Sequence, residues 1–128
     1  MKIYFELITP EKIYFQGKID MVVISGEEGD FGVMACHAPI ITTLRPGLLE
    51  IHDDNSISSQ LFIESGFVKV TDEGCIVLAE NITELSALNI DKCKEELSNI
   101  RNIDSKEESL YIINKRIKVL QAMIDISS

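Results

Sequence analysis

The stretch GEEGDFGVMACHAPI, from Gly26 to Ile40, sets three glycines, three carboxylates, a cysteine, a histidine and a proline within one short span. A cysteine beside a histidine has the makings of a thiol nucleophile with its base, and spaced glycines those of a phosphate-cradling loop. Phosphate binding needs backbone N–H groups in a neutral or cationic surround. Here Glu27, Glu28 and Asp30 stand between the glycines, and no Lys or Arg follows until Arg45. The spacing Gly26, Gly29, Gly32 also fits neither the dinucleotide nor the P-loop pattern. Thiol chemistry needs Cys36 and His37 to share a proton, but successive side chains on an extended segment point to opposite faces. His37 before Ala38-Pro39 reads as a turn or packing residue, and no catalytic group is expected in the stretch.

The elements around it must therefore explain it. The chain has 128 residues, 45% hydrophobic and 26% charged, enough for one modest domain or a small domain with an appendage. Net charge is -9, and residues 1–88 hold 14 acids against 5 bases while 89–128 hold 7 of each. Such a surface resists nucleic acid and anionic lipid, which bind through Lys and Arg, so proteins are the expected partners. Three cysteines, Cys36, Cys75 and Cys93, with no C-x-x-C spacing, point to reduced, buried thiols and to neither a disulfide framework nor a zinc site. The opening MKIYFELITPEK is broken by Glu6 and Pro10, and no run approaches the ~20 apolar residues of a membrane span. A soluble protein on the cytoplasmic side, with no direct membrane insertion, is expected.

Up to about residue 87 the apolar period is that of strands. Runs rich in Ile, Val, Phe and Tyr occur at 2–8, 13–16, 19–24, 31–34, 40–44, 48–51, 60–64, 67–71 and 75–79, punctuated by Pro10, Gly26, Pro46-Gly47, Asp53-Asp54-Asn55, Gly66 and Asp72-Glu73-Gly74. About nine close-spaced strands with no helix between them predict an antiparallel sandwich or flattened barrel, since parallel pairs need long crossovers.

From residue 88 the period becomes helical. Ile90, Cys93, Leu97 and Ile100 mark one stripe, and Leu110, Ile113, Ile117, Leu120 and Ile124 another. Two helices folding back as a hairpin are predicted, the first starting near Asn89 or Asp91 and the second capped by Asp104 or Ser105. Lys115, Arg116 and Lys118 form a basic cluster on the second helix. It reads either as placement toward the negative end of the helix dipole or as a patch that meets an acidic partner. Residues 1–87 and 88–128 are the expected domains.

The run GEEGDFGVMACHAPIITTLRPGLLEI, followed by FIESGFVKVTDEGCIVLAENITE and a two-helix tail, resembles the epsilon subunit of bacterial ATP synthase, called delta in mitochondria. The resemblance runs in register from Phe5 to Asp91. It rests on Gly-acid-apolar-Gly at Gly29 to Gly32, His-Ala-Pro at His37 to Pro39, Pro46-Gly47, and Ser65-Gly66. Two departures fall at expected turns: Ala35-Cys36 stands where the family usually has Pro-Gly, and Phe67 where it usually has a second glycine. The tail matches in kind only.

The resemblance implies a flattened antiparallel β-sandwich of about ten strands followed by a C-terminal two-helix antiparallel hairpin. It implies a non-catalytic central-stalk subunit, without cofactor or metal, peripheral to the cytoplasmic side of the bacterial inner membrane. Its partners would be the gamma subunit and the c-ring, with the alpha and beta subunits of the catalytic head in reach of an extended hairpin that in many relatives restrains ATP hydrolysis. By this resemblance Asp30 matches the acidic position that meets the polar loops of the c-ring, and His37 and Thr42 belong to the adjoining surface near gamma. Lys115, Arg116 and Lys118 would touch acidic segments of the head. The alternative is a stand-alone sandwich that binds a small ligand or senses nucleotide. That alternative requires a deep pocket, whereas the rotor reading requires an exposed apolar strip.

Some relatives bind ATP in the folded hairpin through Ile/Leu-Asp-x-x-Arg-Ala. This chain has Ile90-Asp91-Lys92-Cys93-Lys94-Glu95, so a point charge replaces the planar fork at Lys94, and Glu95 brings a carboxylate beside the phosphates. Only Arg101 and Arg116 remain as tail arginines. Calorimetric titration of the purified protein should show no saturable heat with ATP at millimolar concentration, and micromolar binding would overturn this expectation.

Overall fold

The computed structural model describes residues 1–101 and 107–127. It contains β1 (Ile3–Ile8), β2 (Ile13–Ile19), β3 (Met21–Gly26), β4 (Gly29–Val33), β5 (Ile40–Leu44), β6 (Gly47–Asp53), β7 (Ser56–Thr71) and β8 (Gly74–Glu84). A 3-10 turn at Leu85–Ala87 precedes α1 (Ile90–Arg101) and α2 (Glu107–Ser127). The chain falls into two compact units, Met1–Glu84 and Leu85–Ser128.

The first unit is a flattened sandwich made by one sheet that folds over along its two long strands. The first part of β7, from Ser56 to Ile63, pairs with β6, and the second, from Gly66 to Val70, pairs with β5. β8 follows β7 throughout, from Gly74 opposite Thr71 to Glu84 opposite Leu61. One layer is therefore β2-β1-β8-β7-β5, and the other is β4-β3-β6 with the remaining halves of β7 and β8. Alternation turns Phe5, Leu7, Val68, Val70, Cys75 and Val77 of one layer toward Val22, Ile24, Val33, Leu49, Ile51 and Ile63 of the other, all buried in one core.

Three features differ from the sequence-based expectation. The runs 60–64 and 67–71 are one strand, so the described residues form eight strands, and Gly66 is a strand residue instead of a turn. A Cβ at Gly66 would lie 2.4 Å from the Leu78 carbonyl oxygen, so the glycine serves the close approach of β8. β1 and β8 pair in parallel, Phe5 opposite Cys75 through Ile8 opposite Leu78, with nearly the whole unit acting as the long crossover. Cys36 lies in a turn, not an extended segment, and is exposed, unlike buried Cys75 and Cys93. The alternation that was expected to separate Cys36 from His37 does not operate there.

In the second unit Asn89 caps α1, its Oδ1 accepting the Lys92 N–H at 3.1 Å. Cys93 Sγ lies 3.7 Å from Met123 Sδ, and Arg116 bonds Glu96, so the two helices run antiparallel. Buried Cys93 and Leu97 of α1, with Val119, Leu120 and Met123 of α2, form the seam. Asp104 and Ser105, the expected cap, lie outside the described residues. Lys115, Arg116 and Lys118 sit mid-helix, and the last turn of α2 carries no base. The dipole reading of the cluster fails for that reason, because the effect is confined to the terminal turns.

Cys36 has φ of 69°, a left-handed conformation that costs a side-chain-bearing residue about 1–2 kcal/mol. Glycine relieves this but loses about 0.5–1 kcal/mol of backbone entropy on folding. Cys36→Gly should therefore raise stability by about 0.5–1 kcal/mol, seen as a higher urea midpoint at unchanged slope, while Cys36→Ala should leave the midpoint in place. A gain in the alanine variant equal to that in the glycine variant would point to the thiol instead of φ.

Candidate functional site

With Phe5, Leu7, Val68, Val70, Cys75 and Val77 turned inward, their strand neighbours form the outer face of the β2-β1-β8-β7-β5 layer. The registers arrange that face in rows. One row runs Gln16, Glu6, Ile76, Lys69, Ile41, and the next runs Ile8, Leu78, Phe67, Thr43. Ile41, Leu78, Ile76 and Phe67 are exposed, at 62%, 47%, 38% and 37%, and with Ile8 they make an apolar block across four strands, with Lys69 between Ile76 and Ile41 and with Glu6 and Thr43 at its rim. Beside it, Ile8 to Pro10, Ser65 to Phe67 and Leu78 to Glu80 line an open groove of about 550 Å³. A contiguous apolar patch with a polar rim is the signature of a docking surface.

The stretch Gly26 to Gly32 forms the tip of the β3–β4 hairpin, whose turn is the end loop. Glu27 and Glu28 form that turn, and Asp30, the second residue of β4, stands opposite Ser25. The Glu27 N–H donates to the Thr43 carbonyl at 3.0 Å, and the Thr43 hydroxyl donates to the Glu27 carboxylate. Asp30 is 65% exposed and accepts from Arg45, whose Nη2 lies 2.7 Å from Asp30 Oδ1. The half-buried His37 places Nδ1 2.6 Å from the Ala38 carbonyl and its ring 6.3 Å from that of Phe31. Thr42 is half-buried opposite buried Val68, on the inward side of β5, so it is Thr43 that stands on the outer face beside Phe67.

The basic cluster belongs to the other unit and is partly engaged there. Arg116 grips Glu96 with two contacts, Nε to Oε1 at 2.9 Å and Nη2 to Oε2 at 3.3 Å. Lys115 Nζ lies 5.7 Å from the centre of the Tyr111 ring, and Lys118 is exposed.

The sequence reading missed Ile8, Ile41, Phe67, Ile76 and Leu78. A signal was present: Cys75 to Ala79 is apolar without interruption, and a strand apolar at every position has both faces to cover.

Other chemistry on the surface is already satisfied. Carboxylates of Asp20, Asp53 and Asp54 come within 4.8 Å of one another, but Lys2 Nζ sits 2.7 Å from Asp53 Oδ1 and 3.4 Å from Asp54 Oδ1. The Asp54 N–H donates to Asp20 at 2.8 Å. The ammonium thus supplies the positive charge such a cluster needs. Burial pushes the Cys75 thiol up to about 12, which keeps it protonated and inert at neutral pH.

The family description "ATP synthase, Delta/Epsilon chain, beta-sandwich domain" matches residues 2–85. The ATP synthase epsilon chain of Paramagnetospirillum magneticum is 44% identical over 106 residues, which is 83% of this chain and 76% of that relative. That of Parvibaculum lavamentivorans is 38% identical over 116 residues, 85% of this chain and 88% of the relative. Among solved structures, a chain in the cryo-EM structure of the Euglena gracilis mitochondrial ATP synthase aligns with a TM-score of 0.89, over 99% of this chain and 82% of that one, at 20% identity. A chain of the Tetrahymena thermophila mitochondrial ATP synthase central stalk and c-ring aligns with a TM-score of 0.76 at 18% identity, over 100% of this chain and 98% of that one. At such identities the structural likeness concerns the fold.

The Lys2 hydrogen bond holds the Asp53 carboxyl below its ordinary value, and the same bond raises Lys2. The stability from Asp53 is therefore present above the ordinary carboxylate pKa and is lost as pH falls through the lowered one. That from Lys2 is present below 10.5 and is lost as pH rises through the raised value. In an NMR titration, Lys2→Met should move the Asp53 midpoint upward toward the ordinary value. An unmoved midpoint would show that Lys2 does not hold Asp53 in solution.

Proposed function

The chain belongs to the ATP synthase delta/epsilon chain family, and from that premise we propose that its outer sheet face seats the gamma subunit while its β3–β4 end loop meets the polar loops of the c-ring. As a member of that family it is a non-catalytic subunit of a rotary ATP synthase. The observation that carries the proposal is the apolar block of Ile8, Ile41, Phe67, Ile76 and Leu78. Covering such a patch removes apolar area from water at roughly 25 cal/mol per Å². Thr43 at its edge is bonded to Glu27 of the end loop, so the two contact regions are joined through one short path. In this reading ring rotation passes to gamma through the sandwich, and the subunit's task is mechanical.

The stand-alone ligand-binding reading is not favoured, because the groove beside Pro10 is open and continuous with the apolar face at Phe67 and Leu78. We place the complex at the bacterial inner membrane, with this subunit peripheral on the cytoplasmic side. Among the described residues no helix is long and apolar enough to cross a membrane. Residues 1–87 and 88–128 act as separable parts in this reading, and the division of contacts at Glu84 and Leu85 supports it. Lys115, Arg116 and Lys118 are assigned to acidic segments of the alpha and beta subunits when the hairpin extends. Arg116 must leave Glu96 before it can serve there.

Pull-down of tagged full-length chain from a lysate containing gamma tests the face. Leu78→Asp should cut gamma recovery about tenfold or more while moving stability by no more than ~0.5 kcal/mol, as exposed positions usually do. A fragment of residues 1–87 should retain gamma. Wild-type recovery by Leu78→Asp would remove the face from the interface, and loss of gamma by the fragment would overturn the division into parts.

A further inference from the structure

We propose that Arg45 is the positioning residue of Asp30: it fixes the carboxylate through one oxygen and leaves the other to accept an N–H donor from the c-ring. This rests on the reading of Asp30 as a c-ring contact. The geometry begins with a buried hydroxyl. Ser25 Oγ accepts from Arg45 Nη1 at 2.6 Å, the Gly26 carbonyl accepts from the same nitrogen at 3.3 Å, and the Arg45 N–H donates to the Ser25 carbonyl at 3.1 Å. Gly47 makes room for this, since a Cβ there would fall 2.2 Å from Ser25 Oγ. The guanidinium is thus anchored at the end of β3, on a strand and not on a free loop. From that anchor it reaches Asp30, and both Nη1, at 3.1 Å, and Nη2, at 2.7 Å, go to the same oxygen, Oδ1.

Asp30 Oδ2 has no partner among the described residues, and the side chain is 65% exposed. An exposed ion pair of this kind contributes little to stability. What it contributes is orientation: an unpaired aspartate at a hairpin edge samples several rotamers, whereas a carboxylate held end-on presents its second oxygen in one direction. Arg45 also offsets the Asp30 charge, so the partner group has only to donate a hydrogen bond and need not be a full cation. A neutral amide N–H on a polar loop meets that requirement.

The test is a double-mutant cycle with full-length chain rebound to membranes stripped of this subunit, joined to NMR measurement of the Asp30 χ1 couplings. Asp30→Ala should weaken rebinding about tenfold, Arg45→Met should weaken it nearly as much, and Arg45→Met in the Asp30→Ala background should change it less than twofold, as expected of two groups acting through one contact. Asp30 should show a single rotamer in the wild type and averaging in Arg45→Met. If Arg45→Met does not fold, Ser25→Ala, which removes the anchoring hydroxyl, takes its place in the cycle. An equal loss from Arg45→Met in both backgrounds would overturn the positioning role and leave the Asp30 contact standing, and so would averaged Asp30 couplings in the wild type. Wild-type rebinding by Asp30→Ala would overturn the contact itself and the positioning role with it.

Discussion

The structure depends on one constraint: β7 and β8 must stay paired while passing from one layer of the sandwich to the other. The ladder keeps a single register from Thr71 and Gly74 to Leu61 and Glu84, passing over the row of Glu64 with Asn81. Asn81 has φ of 56°, a conformation asparagine tolerates better than most residues, and its Nδ2 donates to Glu64 Oε2 at 2.8 Å, so a side-chain bond spans the gap. Two residues along, Gly66 lets the β8 backbone close to a distance no side chain would permit. With the passage made, β6 is held by one half of β7 and β5 by the other, and both layers close on one core. The outward rows that bear the apolar block are a by-product of the same register.

This explains which parts of the fold were legible in the letters. Turns that obey local rules were readable: Asp54 and Asn55 both have positive φ, as a two-residue hairpin loop between β6 and β7 requires. The helices were readable because Cys93 and Leu97 fall at helical spacing, and Asn89 is a strong cap. Gly66 was misread because Ser-Gly is a turn signal in isolation, and only the approach of a strand distant in sequence makes it a strand residue. The parallel pairing of β1 with β8 was unreadable for a similar reason, since it joins the two ends of the unit and no local pattern reports it. At the candidate site, Asp30 was named by resemblance, from its place between Gly29 and Phe31-Gly32. The choice between Thr42 and Thr43 turns on the phase of a short strand in which isoleucine occupies both faces. Arg45 went unnoticed because its partners, Ser25 and Asp30, are 20 and 15 residues away.

Charge in the sandwich is arranged to the same end. Residues 1–88 have only 5 bases for 14 acids, and two of the five are fixed in clamps: Lys2 between Asp53 and Asp54, and Arg45 on Asp30. Lys12 Nζ lies 5.5 Å over the Tyr14 ring. Of the bases, Lys69 alone stands in the rows beside Ile76 and Ile41. A face so poor in cations has little attraction for polyanions, and its apolar area is what a protein partner can use.

The hairpin is built on a different scale, and the difference bears on the regulatory part of the proposed function. The sandwich core holds Phe5, Leu7, Ile24, Leu49, Ile51 and twelve further buried apolar residues, whereas the helices, among the described residues, bury Cys93, Leu97, Val119, Leu120 and Met123. Tyr111 and Ile112 are each 69% exposed, so α2 carries apolar side chains outside its seam. The Glu96–Arg116 fork is half-exposed, with side chains at 45% and 37%, and exposed pairs contribute at most ~1 kcal/mol. Regions with few buried contacts open at free energies well below that of global unfolding. In the proposed function, torque transmission requires a stiff element and reversible inhibition one that opens at low cost, and the sandwich and the hairpin match those two requirements in sequence order. Under that proposal, the exposed Tyr111 and Ile112, with Lys115, Arg116 and Lys118, are the contacts that an opened hairpin would offer the catalytic head.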